Sequence, residues 1–186
     1  MSESEQPHSM QGKIQPDRNR GHVGEKEMRA RIPSNYGFDD TMIAGMMRPY
    51  ISSSFADFIE VLPFFFIATS DEEGHCDCSF RGREFDASGN PLPILRVTGQ
   101  QTLAFPDFSG NGFYNSLGNI LVNPHIGMLF MNFEYRQRAR INGIATVIEA
   151  SKEITDIWPM AQAAVSVQVE QAYGNCRARI PKMTLR

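Results

Sequence analysis

The stretch from Phe105 to Pro124, FPDFSGNGFYNSLGNILVNP, limits the possible folds of this chain more than any other. It reads as the end of a strand, a glycine-rich bend, and a short helix closed by Asn123-Pro124, so the fold must seat a helix between extended segments. Gly110 and Gly112 tolerate positive φ and let backbone N–H groups converge with no Cβ in the way. The helix start adds unpaired N–H groups and the positive end of its dipole, with Asn115 and Ser116 in the first turn. Those are the parts of an anion site, most naturally one for phosphate. Neither G-x-x-x-x-G-K-[ST] nor G-x-G-x-x-G occurs, so the common nucleotide fingerprints are absent. Taken alone, the same residues also make an ordinary turn and helix cap.

The rest of the chain supplies the frame. At 186 residues it is long enough for one core-forming domain, and 41% hydrophobic with 21% charged residues is ordinary for a soluble globular protein. A net charge of −3 gives no global basic field, which argues against a dedicated nucleic-acid binder. No apolar run approaches the roughly 18 to 20 residues of a membrane helix, and the N-terminus lacks the apolar core of a secretory signal. A cytoplasmic protein is the expectation. Cys76, Cys78 and Cys176 make an odd count with no disulfide framework. His75-Cys76-Asp77-Cys78 offers too few ligands at recognisable spacing for a structural zinc site, so no metal is expected. In a strand, Cys76 and Cys78 share a face with Phe80, as small core hydrophobes do.

In chain order, residues 1–35 are polar, with almost no large apolar side chains, and read as a flexible arm that includes the Met28–Pro33 piece MRARIP. Asp39 or Asp40 caps a short helix running through Met47. A second helix starts at Ser53 or Ser54, with Phe55, Phe58, Ile59 and Leu62 at helical spacing. FFFIATS is a buried strand, and HCDCSFRG alternates strictly, with Asp77, Ser79 and Arg81 on one face. That polar row faces either solvent or a polar pocket; pattern alone leaves both open. After the GREFDASGN loop, Ile94 to Val97 and Thr102 to Phe105 form a hairpin that leads into the opening stretch. HIGMLFMN and RQRARINGIATVIEA follow as strands, with Arg136, Arg138 and Arg140 on one face and a bulge at Gly143. A loop and short helix surround Trp158-Pro159, AVSVQVEQA is the last strand, and residues 177–186 form a basic, exposed tail. The result is a mainly β chain with peripheral helices: six or seven strands in a predominantly antiparallel barrel over residues 36–176.

This order resembles the pyridoxamine 5'-phosphate oxidase-like superfamily of FMN-binding split barrels. The resemblance is densest at Leu95-Arg96-Val97, at FPDFSGNGFYNSLGNILVNPHIGMLF and at Arg138-Ala139-Arg140-Ile141-Asn142-Gly143; Ser79 to Gly82 looks like the S-P-R-G of one branch, with Phe80 in place of the proline. It implies a split β-barrel homodimer that holds FMN at the subunit interface. The phosphate would be held by Arg96, Asn115 and Ser116, with Asn111 in the nearby loop. Phe105, Pro106 and Asp107 would flank the isoalloxazine ring, and Arg138 would approach the flavin from the neighbouring subunit or the ring edge. Arg81 and Ser79 are further candidates. A dianionic phosphate favours guanidinium contacts plus helix N-terminal N–H groups, and both are available here.

The implied activity is FMN-dependent oxidoreduction of a small substrate, with an electron donor such as NAD(P)H. A flavin-binding carrier or sensor is the alternative, as is a barrel that uses F420 or haem. Two departures argue against pyridoxamine phosphate oxidation itself. Asn115-Ser116 stands where true pyridoxamine phosphate oxidases carry Arg-Lys, and the tail YGNCRARIPKMTLR lacks their substrate-binding histidine.

Overall fold

The computed structural model describes residues 21–32 and 37–184. The chain divides into two units, residues 1–45 and 46–186. The first contains α1 (Val23–Arg31) and most of α2 (Asp40–Met46). The capping box of α1 explains a helix within a segment read as a flexible arm. His22 Nδ1 accepts from the Gly24 N–H and Glu25 Oε2 accepts from the His22 N–H, which serves donors left open at a helix start. Arg29 donates to Asp40 at 2.7 Å and joins the two helices. Neither helix buries a side chain. Residues 1–20 and 33–35 of the expected arm, including the Pro33 end of MRARIP, lie outside the described residues.

The second unit contains α3 (Ser53–Glu60), β1 (Phe64–Ser70), β2 (Cys76–Gly82), β3 (Arg96–Gly99), β4 (Thr102–Phe108), α4 (Asn115–Val122), β5 (His125–Asn132), β6 (Gln137–Glu149), α5 (Lys152–Ile157) and β7 (Ala161–Gly174). The seven strands form one antiparallel sheet in the order β2-β1-β5-β6-β7-β4-β3. β2 and β3 are its edges. Four strands separate β2 from β4 along the sheet, yet Arg81 of β2 and Asp107 of β4 are in contact, so the sheet curls into a barrel that is split rather than fully hydrogen-bonded.

The core follows from the alternation. Phe65 and Ile67 of β1 point inward, and Phe65 stacks on Phe130 of β5 at 5.5 Å and meets Phe105 of β4 edge-on at 5.3 Å. Leu103, Ile141 and Val165 complete the interior from β4, β6 and β7. Gly143 marks the bulge expected of it: the β6–β7 register shifts between Asn142 and Gly143, and a Cβ there would stand 2.2 Å from the Gln168 carbonyl oxygen. Pro106 is tolerated inside β4 because pairing with β3 ends at Ala104, so no ladder bond on that side needs its missing N–H.

Trp158 caps the short helix α5 from a fully buried position, with Nε1 donating to the Pro93 carbonyl at 2.6 Å. Two expectations change. The basic tail is not wholly exposed, since Ile180 is buried and its carbonyl accepts from Arg136 Nε at 3.0 Å. Arg136 has left the strand face it was expected to share, with φ at +54° in the β5–β6 turn.

α4 lies across the barrel against β1, β2 and β6. Leu117 and Ile120 are its apolar contribution. Its polar side is tied to β1, where Asn119 donates to the buried Thr69 hydroxyl at 3.1 Å and Asn123 donates to Ser70 at 2.9 Å. These bonds tie the middle and end of α4 to β1, while Ser116, 2.8 Å from Ser79, ties its start to β2.

Candidate functional site

β2 faces the opposite way from what its apolar residues alone suggest. Cys76, Cys78 and Phe80 are exposed, while Asp77, Ser79 and Arg81 are half-buried. The cause is tertiary. The inner face of this edge strand does not close on the hydrocarbon core; it closes on the first turn of α4 and the end of β4, both polar there. The row that pattern left undecided is the lining of a cleft.

The cleft has a volume of about 310 Å³. β2 supplies Ser79 and Arg81, β4 supplies Asp107, the bend supplies Asn111, and α4 supplies Asn115 and Ser116. Arg81 Nη1 donates to Asp107 Oδ1 at 2.6 Å, with 21% and 8% of the two side chains exposed. Gln162 of β7 donates to the other carboxylate oxygen at 2.9 Å, so both oxygens of Asp107 are engaged. Arg81 Nε is buried and has no hydrogen-bond partner. Asp107 therefore fixes the guanidinium through Nη1, and the exposed part of Arg81 lines the cleft as its one cationic group.

The helix start is prepared in the same sense. Tyr114, the N-cap of α4, has φ +54° and makes no side-chain capping bond. A non-glycine residue in this conformation costs about 1–2 kcal/mol. With no cap, the first N–H groups of α4 keep their donor capacity beside the cleft. Gly112, at φ +77°, and an Asn111 side chain that accepts from the Phe113 N–H at 3.0 Å shape the bend before it. Beneath the rim, Ser79 and Ser116 lie 2.8 Å apart, and both reach Asp77 Oδ2, at 3.0 and 3.3 Å.

Six of the ten residues singled out from sequence thus converge in one cleft: Ser79, Arg81, Asp107, Asn111, Asn115 and Ser116. The other four do not. Arg96 is exposed on the β3 edge opposite Ala104 and does not line the cleft. Phe105 points into the barrel core with no exposed surface, and Pro106 is buried as well, so neither flanks the opening. Arg138 lines a separate cleft of about 340 Å³ between α3 and the β6–β7 end, where its buried Nε has no partner. Asp107 is present but serves Arg81 rather than a ring. Gln162 was not identifiable in the sequence, because nothing in the β7 pattern distinguishes it; only the pairing of Asp107 with Ala163 brings it into reach.

A curled seven-stranded sheet with a polar cleft at its seam, sealed by a helix between the fourth and fifth strands, defines a split-barrel protein. The model of the pyridoxamine 5'-phosphate oxidase family matches residues 51–183, and the chain belongs to that family of FMN-binding split barrels. Among solved structures it is similar to HupZ of Group A Streptococcus, with 17% identity and a TM-score of 0.52 over 72% of this chain and 99% of HupZ. It is also similar to a putative pyridoxamine 5'-phosphate oxidase of Lactobacillus delbrueckii, with 12% identity and a TM-score of 0.51 over 68% of this chain and 95% of that one. At these identities the likeness concerns the fold alone. No curated protein matches the chain. Among the described residues, no helix is long and apolar enough to cross a membrane.

Proposed function

We propose that the protein is a homodimeric flavoprotein that binds FMN, with FMN-dependent oxidoreduction of a small substrate as its activity. The observation that carries this reading is the Arg81 guanidinium and the uncapped start of α4 lining one cleft. Arg81 and the first N–H groups of α4 would hold the phosphate, and the amides of Asn111 and Asn115 would hold the adjoining hydroxyls. Once bound, the flavin supplies hydride or electron chemistry; the protein contributes binding, orientation and charge. No His, Cys or Met lines the cleft among the described residues, and Tyr114 is the one lining side chain of a type that ligates haem iron.

A second copy of the chain would complete the site. The outer face of β1, β5 and β6 carries an apolar groove of about 400 Å³ lined by Phe66, Ala68, Cys78 and Leu129, together with Arg140 and Asn142. Phe80 extends this face, 62% exposed and in ring contact with Phe64 and Phe66. An aromatic surface of this kind marks an association site. Arg138, with its unpartnered Nε, would reach the flavin of the opposite copy, where a positive charge favours the reduced, anionic ring. Light scattering at micromolar concentration should report a dimer for the wild type and a monomer for Leu129→Arg; a monomeric wild type removes this part of the reading.

The test of function is to release the bound chromophore and identify it by absorbance and mass. FMN is expected, and a purified protein that neither retains FMN nor takes it up on titration overturns the proposal. Anaerobic mixing with NADH or NADPH then separates an enzyme from a carrier, because rapid bleaching of the flavin is expected only of the former.

A further inference from the structure

We propose that the cleft selects the phosphate as its monoanion, with the ligand's P–O–H donating to the Asp77–Ser79–Ser116 cluster. This rests on the reading of the cleft as the phosphate seat of FMN, and adds the protonation state that the seat accepts. Each serine owns one hydroxyl proton. Ser79 Oγ donates to Asp77 Oδ2 at 3.0 Å, Ser116 Oγ reaches the same oxygen at 3.3 Å, and the two hydroxyl oxygens are 2.8 Å apart. Whether both protons go to the carboxylate, or one goes to it and one to the neighbouring serine, both are engaged within the cluster, and a hydroxyl that turned to a ligand would give up one of these bonds. In that fully bonded arrangement the cluster presents lone pairs toward the cleft.

A fully ionised phosphate is also acceptor-only, so seating it here sets acceptor against acceptor. One retained proton turns the clash into a hydrogen bond, while the remaining anionic oxygens meet the Arg81 guanidinium and the α4 N–H groups. The charges point the same way. Asp77 and Arg81 on β2, Asp107 on β4 and Tyr114 at the head of α4 are the charged or titratable groups around the phosphate position among the described residues, and β7 adds only the neutral Gln162. One guanidinium faces two carboxylates. No second Lys or Arg lines the cleft to balance a dianion.

The consequence is proton-linked binding. The second ionisation of a phosphate monoester lies near pH 6. Above it the free ligand must take up a proton to bind, so FMN affinity falls about tenfold per pH unit as pH rises, and levels off below. Riboflavin has no phosphate, and its affinity should stay flat across the same range. In Asp77→Asn the amide donates into the cluster, freeing hydroxyl protons for the ligand, and the pH slope should disappear.

The experiment is a fluorescence titration of the wild type and Asp77→Asn with FMN and with riboflavin between about pH 6 and pH 8. The expected result is an FMN Kd rising about 50-fold in the wild type, a flat riboflavin Kd, and tighter FMN binding at the alkaline end in Asp77→Asn. The phosphorus NMR shift of FMN bound to the wild type reads the protonation state directly and needs no variant. A dianion shift, or a pH-independent FMN Kd, overturns monoanion selection and leaves flavin binding standing. Absence of FMN binding at every pH overturns both.

Discussion

Arg81→Ala should weaken FMN binding by between about tenfold and about a hundredfold while leaving riboflavin affinity nearly unchanged. A hydrogen bond to a charged group is worth about 1.5–3 kcal/mol, and each 1.4 kcal/mol is a factor of ten in affinity. The loss should appear only with the phosphorylated ligand, because the guanidinium charge is what Arg81 offers the cleft. Arg81→Lys should recover part of the loss, since it restores the charge but not the planar fork. Removing the guanidinium also strips Asp107, 8% exposed, of its ion-pair partner and leaves only Gln162. Arg81→Ala with Asp107→Asn relieves that buried charge and separates a folding defect from a binding defect. Equal losses for FMN and riboflavin would show that Arg81 does not hold the phosphate.

Phe105→Ala should destabilise the fold by about 3–5 kcal/mol, the usual cost of emptying a fully buried aromatic position. Phe105 has no exposed surface and meets Phe65 edge-on at 5.3 Å, and Phe65 in turn stacks on Phe130. Its loss therefore opens the centre of the barrel, where β1, β4 and β5 face one another. Phe105→Leu fills most of that volume and should cost far less, with FMN affinity unchanged because the ring faces the core and not the cleft. Denaturant unfolding and flavin titration of the two variants check both halves. A stability loss under about 1 kcal/mol for Phe105→Ala would mean that the core closes over the gap. A Phe105→Leu variant that folds normally but loses flavin would return Phe105 to the binding site.

Much of this was legible one residue at a time. The β1 run FFFIATS, the helix between β4 and β5 with its Asn-Pro stop, and the bulge at Gly143 depend on short-range rules of alternation, capping and turn chemistry, and the structure has them where those rules place them. The glycine bend and helix start were also recognisable as anion chemistry, since backbone N–H groups and a dipole end are properties of the local backbone.

What no local rule supplied was which side of β2 is the inside and which arginine meets the cleft. Alternation divides Cys76, Cys78 and Phe80 from Asp77, Ser79 and Arg81, but is silent on what covers each face. Hydrophobicity alone points the wrong way here, because the strand is an edge whose inner neighbours, α4 and the end of β4, are polar. The same gap explains Arg96, placed at the phosphate by resemblance yet exposed on the opposite sheet edge, and Gln162, which carries no signal at all. A contact such as Arg81 to Asp107 joins strands five places apart in the sheet. It exists only because the whole sheet curls, and curl is a property of seven strands packed together, absent from any one of them.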